Sequence, residues 1–181
     1  MQNISLSPHF TLSEMCASRM AEEHGIENIP PAEAVANLRR LCEGCLEPLR
    51  EAIGLPVIIT SGYRCRRLNE LLVHAARKSQ HMVGSAADLY VGQSSVQSSL
   101  TKVKATPSIT KFKVQSDREL LVKAFKTILT DPKIDFDQLI LYPSFIHVSY
   151  VSKQANRHKL TKAFGNGKYC ALTREQALSL V

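Results

Sequence analysis

Two histidines and one aspartate stand in contexts that suit a metal ion. His81 lies in Ser79-Gln80-His81-Met82-Val83-Gly84-Ser85-Ala86-Ala87-Asp88, and His147 in Phe145-Ile146-His147-Val148-Ser149-Tyr150. Gly84 permits a tight turn between the His81 imidazole and the Asp88 carboxylate, which enters a β-rich run. His147 sits in an apolar run, where Ile146 and Val148 face away from it if the run is a strand. Two imidazoles and one carboxylate suffice to hold zinc and leave a fourth position for water. That is the layout of a catalytic site and not of a closed structural one. Each piece alone carries little. A strand histidine is more commonly a hydrogen-bonded core or surface residue, and a His–Asp pair at this spacing recurs by chance.

The elements that must position these groups are legible from spacing. Thr11-Leu12-Ser13-Glu14 has capping-box spacing and predicts a helix from near Leu12 carrying Met15. Pro30-Pro31 opens a longer helix whose stripe is Val35, Leu38, Cys42, Cys45 and Leu49, and Gly54 ends it. The β-branched run 57–60 predicts a buried strand, broken by Ser61-Gly62. Residues 66–76 read as a helix with Leu68, Leu71 and Leu72 inward, and 86–91 as a second strand. Ser116-Asp117-Arg118-Glu119 reads as the capping box of an amphipathic helix bearing Leu120, Leu121, Ala124, Phe125 and Ile128. Runs 136–141 and 145–150 flank Pro143-Ser144 as a hairpin, and Thr173 with Gln176 starts a last short helix. Residues 92–115, rich in Ser, Thr and Lys, read as a surface excursion, and 151–181 as a C-terminal extension of one domain spanning 1–181. Helices first and short strands later predict an α+β fold, a small antiparallel sheet flanked by helices.

Composition bounds the function. A chain of 181 residues, 44% apolar and 22% charged, is not disordered throughout and folds without needing a metal or disulfide, so a metal here would serve chemistry. No apolar run reaches the roughly 18 residues of a membrane span. The N-terminal residues lack a basic start and an apolar h-region. The expectation is a protein made in the cytoplasm without a secretory signal, acting on the cell wall only if released. Five cysteines, an odd number, fit a reducing compartment. Cys42-Glu43-Gly44-Cys45 has no second pair at zinc-ribbon spacing and reads as core packing. The net charge of +7 favours a polyanion, whether nucleic acid, anionic lipid or wall polymer, without choosing among them. No helix-turn-helix or zinc-finger spacing supports nucleic acid, which is therefore disfavoured. The stretch Asn156-Arg157-His158-Lys159, with Lys162, is either a solvated face or a contact with an anionic polymer. The oligomeric state is not legible.

Further residues join the metal group. Ser61-Gly62-Tyr63-Arg64, with Asn69, follows directly on a predicted strand. Together with Ser79-Gln80-His81-x-x-Gly84-x-Ala86-x-Asp88 and Ile146-His147-Val148-Ser149, these residues resemble the M15 family of zinc peptidases, over roughly residues 10–150. Known members are D-Ala-D-Ala carboxypeptidases, D-Ala-D-Ala dipeptidases and phage endolysins, and the resemblance is to the short, single-domain M15A-like branch. It implies a hedgehog/DD-peptidase-like fold and a peptidoglycan peptide substrate cut by a metal-activated water. It also implies Zn2+ held by His81, Asp88 and His147. Arg64 would steady the substrate and the developing oxyanion, and Ser79 would hydrogen-bond the substrate.

The chain departs from that pattern at one point. A zinc peptidase needs a carboxylate to take the proton of the attacking water and pass it to the leaving amine. Many members place it three residues before the last histidine ligand, where this chain has Ser144. Others carry Glu at the end of the first hairpin arm, where this chain has Leu141-Tyr142-Pro143. With Pro143-Ser144 as a two-residue turn, Ile140 pairs with His147 and Tyr142 shares the His147 face. Its phenol could donate to an oxyanion or leaving group but is a poor base at neutral pH. Three arrangements answer the gap. Glu70 or Asp137 reaches the site, or Tyr142 and Arg64 suffice for slow turnover, or the protein binds zinc and wall peptide without cutting.

Overall fold

The computed structural model describes residues 4–73, 75–92, 107–165 and 167–180, with side chains for all of these except 107–117. Two short helices come first, α1 (Leu12–Cys16) and α2 (Arg19–Glu23). Thr11 caps α1 as its spacing predicts, its hydroxyl accepting from the Glu14 amide. Then α3 (Ala32–Leu41) continues through a π-helical turn, Cys42–Leu46, into α4 (Glu47–Ile53). Gly54 ends this rod in the left-handed region, at φ 68°. Leu38, Cys42, Cys45 and Leu49 are fully buried, so the cysteine pair packs the core, and both thiols are free. The π turn lets Gly44 press on the Tyr150 ring, where a Cβ would lie 2.8 Å from Cε2.

Two helix boundaries differ from expectation. Helix α5 (Arg66–Leu71) stops well short of residue 76, and Leu71 is largely exposed although Leu68 is buried. The buried Asn69 explains the stop, because its amide donates to the Ala76 carbonyl, a tie too close for a continuing helix. Helix α6 (Pro107–Thr130) runs straight through Ser116-Asp117-Arg118-Glu119, so that spacing marks no N-terminus. It opens on Pro107, a residue suited to a first helical turn. Residues 107–115 are thus helix and not irregular excursion, while 93–106 lie outside the described residues. The inward face of α6 holds Leu121, Val122, Ala124, Phe125, Ile128 and Leu129.

Among the described residues, β1 (Val57–Ser61), β2 (Ala86–Val91), β3 (Gln138–Leu141), β4 (Ile146–Ser149), β5 (Lys159–Ala163) and β6 (Tyr169–Ala171) form one sheet. Its order is β1-β2-β4-β3-β5-β6. The fold is α+β as expected, and the sheet is antiparallel except where β5 joins β3 in parallel. That pairing follows from a crossover. Residues 150–158 pass beneath the start of β3, where the Asp137 carboxylate accepts from the Arg157 amide and its carbonyl accepts from the Lys159 amide at 2.9 Å. The last helix, α7 (Arg174–Leu178), has both arms of the capping box formed by Thr173 and Gln176.

Strand alternation splits the sheet into two faces. Ala87, Leu89, Leu139, Leu141, Ile146 and Val148 join the core built with α3, α4 and α6. The other face carries Asp88, His147, Ile140 and Thr161, paired in one row from β2 to β5. A groove of about 1260 Å³ lies over this row. No helix among the described residues is long and apolar enough to cross a membrane.

Candidate metal centre and its groove

His81 stands on a 3-10 turn, Gln80–Val83, closed by Gly84 at φ 74°. A Cβ at Gly84 would strike the Ala34 carbonyl, so the turn seats directly on α3. The His81 ring is buried, and its Nδ1 lies 2.7 Å from the Gly62 carbonyl. A carbonyl only accepts, so Nδ1 carries the proton and the Nε2 lone pair faces the groove. Asp88 comes from β2, and His147 pairs directly with it on β4.

The three ligand-capable atoms form a small triangle. His81 Nε2 is 3.2 Å from His147 Nδ1 and 3.3 Å from Asp88 Oδ1, and His147 Nδ1 is 2.8 Å from Asp88 Oδ1. Ligands about 2.0–2.1 Å from a tetrahedral zinc stand about 3.3 Å apart. Two of the three edges match that spacing and the Asp88–His147 edge is shorter, at hydrogen-bond length, so the donor set could hold a metal ion. Electrostatics agree. Burial pushes the His81 pKa down, against the pull of Asp88, and favours the neutral ring that a ligand must be. Burial by itself would raise Asp88, but the His81 and His147 rings outweigh it and hold the carboxyl well below the usual range.

Arg64 flanks the triangle. Its amide bonds the His81 carbonyl at 3.2 Å, so the loop carrying Gly62 and Arg64 clamps His81 from both sides. Sequence reasoning missed the residue that fixes this loop. Buried Asn28 donates to the Cys16 and Tyr63 carbonyls and accepts from the Cys65 amide. Nothing local in the sequence marks an asparagine for that task. The Arg64 guanidinium reaches Ser79 Oγ at 3.4 Å, and its buried Nε has no partner. Burial lowers the Arg64 pKa, and Asp88 and Tyr142 oppose that fall.

Tyr142 stands where the hairpin argument placed it. Ile140 pairs with His147, and the Tyr142 amide bonds the Phe145 carbonyl. Its ring stacks on Phe145 with centroids 4.2 Å apart and lines the groove, as Arg64, Ser79, His81, Asp88 and His147 do. The Tyr142 hydroxyl is 3.3 Å from that of Tyr169, a partner the sequence did not suggest. Burial raises the Tyr142 pKa, and Tyr169 and Asp88 raise it further. The phenol stays protonated, so it can donate but not take a proton.

Neither expected carboxylate is free for that work. Glu70 pairs with Arg66 on the outer surface and is not part of the groove lining. Asp137 does line the groove, but Arg157 and Gln80 engage its oxygens. These bonds, Arg157 foremost, outweigh burial and lower its pKa to about 2. Within the basic stretch, Asn156 donates to Asp135, Arg157 serves Asp137 and His158 lies 2.7 Å from Asp135, so three of its side chains are engaged within the fold. Asp137 had one readable signal, as an acid inside an otherwise β-rich run.

A His-Asp-His group able to hold a metal, beside a half-buried arginine in an open groove, suits a centre of the metallohydrolase type. The sequence model of the peptidase M15 family matches residues 8–119, and the chain belongs to that family of zinc-dependent peptidases. The matched stretch contains Arg64, Ser79, His81 and Asp88, while His147 lies beyond it and is brought in by β4. No curated protein matches the chain.

Proposed function

We propose that this protein is a zinc peptidase acting on peptidoglycan stem or crosslink peptides, as a D-Ala-D-Ala carboxypeptidase or an endopeptidase. The triangle of His81, Asp88 and His147 carries this reading, because its donor set suits the ion used by the family. Zinc held by these three residues would polarise the scissile carbonyl and acidify the attacking water. The rest falls to the chain itself. Arg64, with an unpartnered buried Nε, is set to bind substrate oxygen and oppose the negative charge that develops there. Ser79, beside it, hydrogen-bonds the substrate. Tyr142, whose phenol stays protonated, donates a hydrogen bond to the oxyanion or the leaving group. Elemental analysis of the purified protein, paired with mass spectrometry of a muropeptide digest, tests the reading. Zinc with new fragments, both lost in His81→Ala and His147→Ala, is the expected result. Absence of zinc would sink it.

One observation favours a second reading, a zinc-containing module that binds peptidoglycan without cutting it. Among the described residues lining the groove, the carboxylates are Asp88 and Asp137, and both are engaged. This reading expects zinc and muropeptide binding with no fragments even at high protein concentration.

A further inference from the structure

We propose that Lys159 and Thr161 on β5 form a carboxylate-binding subsite of the groove, about two strand spacings, or roughly 10 Å, from the metal triangle. The inference rests on the peptide reading above and specifies which part of the substrate the far end of the groove takes. Thr161 is 6% exposed, lines the groove, and its Oγ1 has no hydrogen-bond partner. Buried hydroxyls are normally satisfied, so this one awaits an acceptor arriving from the groove. Lys159 lies two residues earlier on the same strand face, exposed, and also lines the groove. The nearest lining acid, Asp137, is already taken by Arg157. A carboxylate bridging β5 would accept from the Thr161 hydroxyl and pair with the Lys159 ammonium.

The row across the sheet sets the reach. His147 pairs with Ile140, and Ile140 with Thr161, so an apolar residue separates the metal ligand from the subsite. An extended peptide covers that span in about three residues. It therefore carries a carboxylate two or three residues from the bond at the metal. Stem peptides offer two such groups: the free α-carboxylate of a γ-linked D-Glu, and the chain terminus.

Calorimetric titration of the zinc-loaded full chain tests this at low temperature, with each peptide checked by mass spectrometry to be uncut. The probes are L-Ala-γ-D-Glu-L-Lys-D-Ala-D-Ala, the same peptide amidated at the D-Glu α-carboxylate, and the same peptide amidated at its C-terminus. Lys159→Met with Thr161→Val should bind the parent peptide about tenfold more weakly than the wild type. Amidation of the carboxylate that the subsite takes should cost the wild type a similar factor and the double variant nothing. The amide that shows this coupling identifies the source. Equal penalties in wild type and variant for both amides overturn the subsite alone. No binding of any of the peptides by the wild type overturns the peptide reading and the subsite with it. Lys159 is exposed and Thr161→Val keeps side-chain shape, so matching thermal melts separate a binding defect from a folding one.

Discussion

Asp88 and His147 are register partners on β2 and β4, and Asp88 Oδ1 lies 2.8 Å from His147 Nδ1. Two of the three metal-ligand candidates are thus set by a β-ladder, and a one-residue slip would turn His147 into the core. Because His147 faces the groove, its loss should spare the fold. We expect His147→Ala to keep a wild-type melting temperature without metal but to purify with under about a tenth of the wild-type zinc. Zinc at about a thousand times its dissociation constant adds about 4 kcal/mol, or roughly 10 °C for a chain of this size. A chelator should remove that increment from the wild type and leave His147→Ala unmoved. Melts with and without chelator, beside elemental analysis, decide it.

Gly62 is the point where the centre meets α1. A Cβ there would collide with the Met15 carbonyl, a backbone atom that cannot swing away. The Gly62 carbonyl also fixes the His81 ring. Gly62→Ala should therefore destabilise by roughly 2–3 kcal/mol and weaken metal retention together. Gly54→Ala meets no atom within 4 Å and bears only the strain of its φ of 68°, so it should cost about 1 kcal/mol and leave the metal in place. Equal metal loss in both variants would refute the link between Gly62 and His81.

Asp137 ties stability to pH. Its folded pKa of about 2 lies below the ordinary value of 3.8, so the folded state favours the ionised carboxyl. The stabilisation is full above the unfolded value and is lost as pH falls from about 4 through 2. The difference is worth about 2 kcal/mol. Asp137→Asn lacks this dependence, so the gap in unfolding free energy between wild type and variant should narrow by that amount from pH 5 to pH 2. Denaturant titrations at the two pH values measure it. Since Asp137 also anchors the crossover into β5, Asp137→Asn should loosen exchange protection of the Leu160 and Thr161 amides first.

Chemistry was more legible in the sequence than connectivity. His81, Asp88 and His147 each carried little alone and stood out only once the motifs around them were read together, and the Ile140–His147 register followed from a two-residue turn. Local spacing also found the Thr11 and Thr173 caps. The false N-terminus at Ser116 shows the limit. A Ser followed three residues later by Glu reads the same inside a helix as at its start, and only the upstream chain decides. The early stop of α5 depends on the Asn69 bond to Ala76, and the parallel β5 on Asp137 catching a later loop. Such ties join residues whose neighbours in sequence give no hint of the partner. Tyr169 and Thr161 reach the groove only once that crossover is made.

Tyr142 lines the groove on the His147 face of the hairpin, and its environment keeps it from acting as a general base. Its pKa is raised by burial, Tyr169 and Asp88, so no limb of a pH–rate profile below pH 10 should belong to it. If its proton stabilises the transition state, Tyr142→Phe lowers kcat by about 10²-fold with KM little changed. Tyr142→Glu puts a carboxylate on the His147 face of the hairpin, one diagonal step from that ring. A positioned base is worth about 10²–10⁴-fold, so Tyr142→Glu should turn over muropeptide at least tenfold faster than Tyr142→Phe. It should also gain an acidic limb near the pKa of the new carboxyl. Muropeptide release at pH 5 to 9 for the wild type and both variants resolves the choice. Identical rates in all three would remove Tyr142 from the chemistry. A wild type that is silent while Tyr142→Glu cuts would mean that the native chain binds wall peptide and that its single missing acid is what stops hydrolysis.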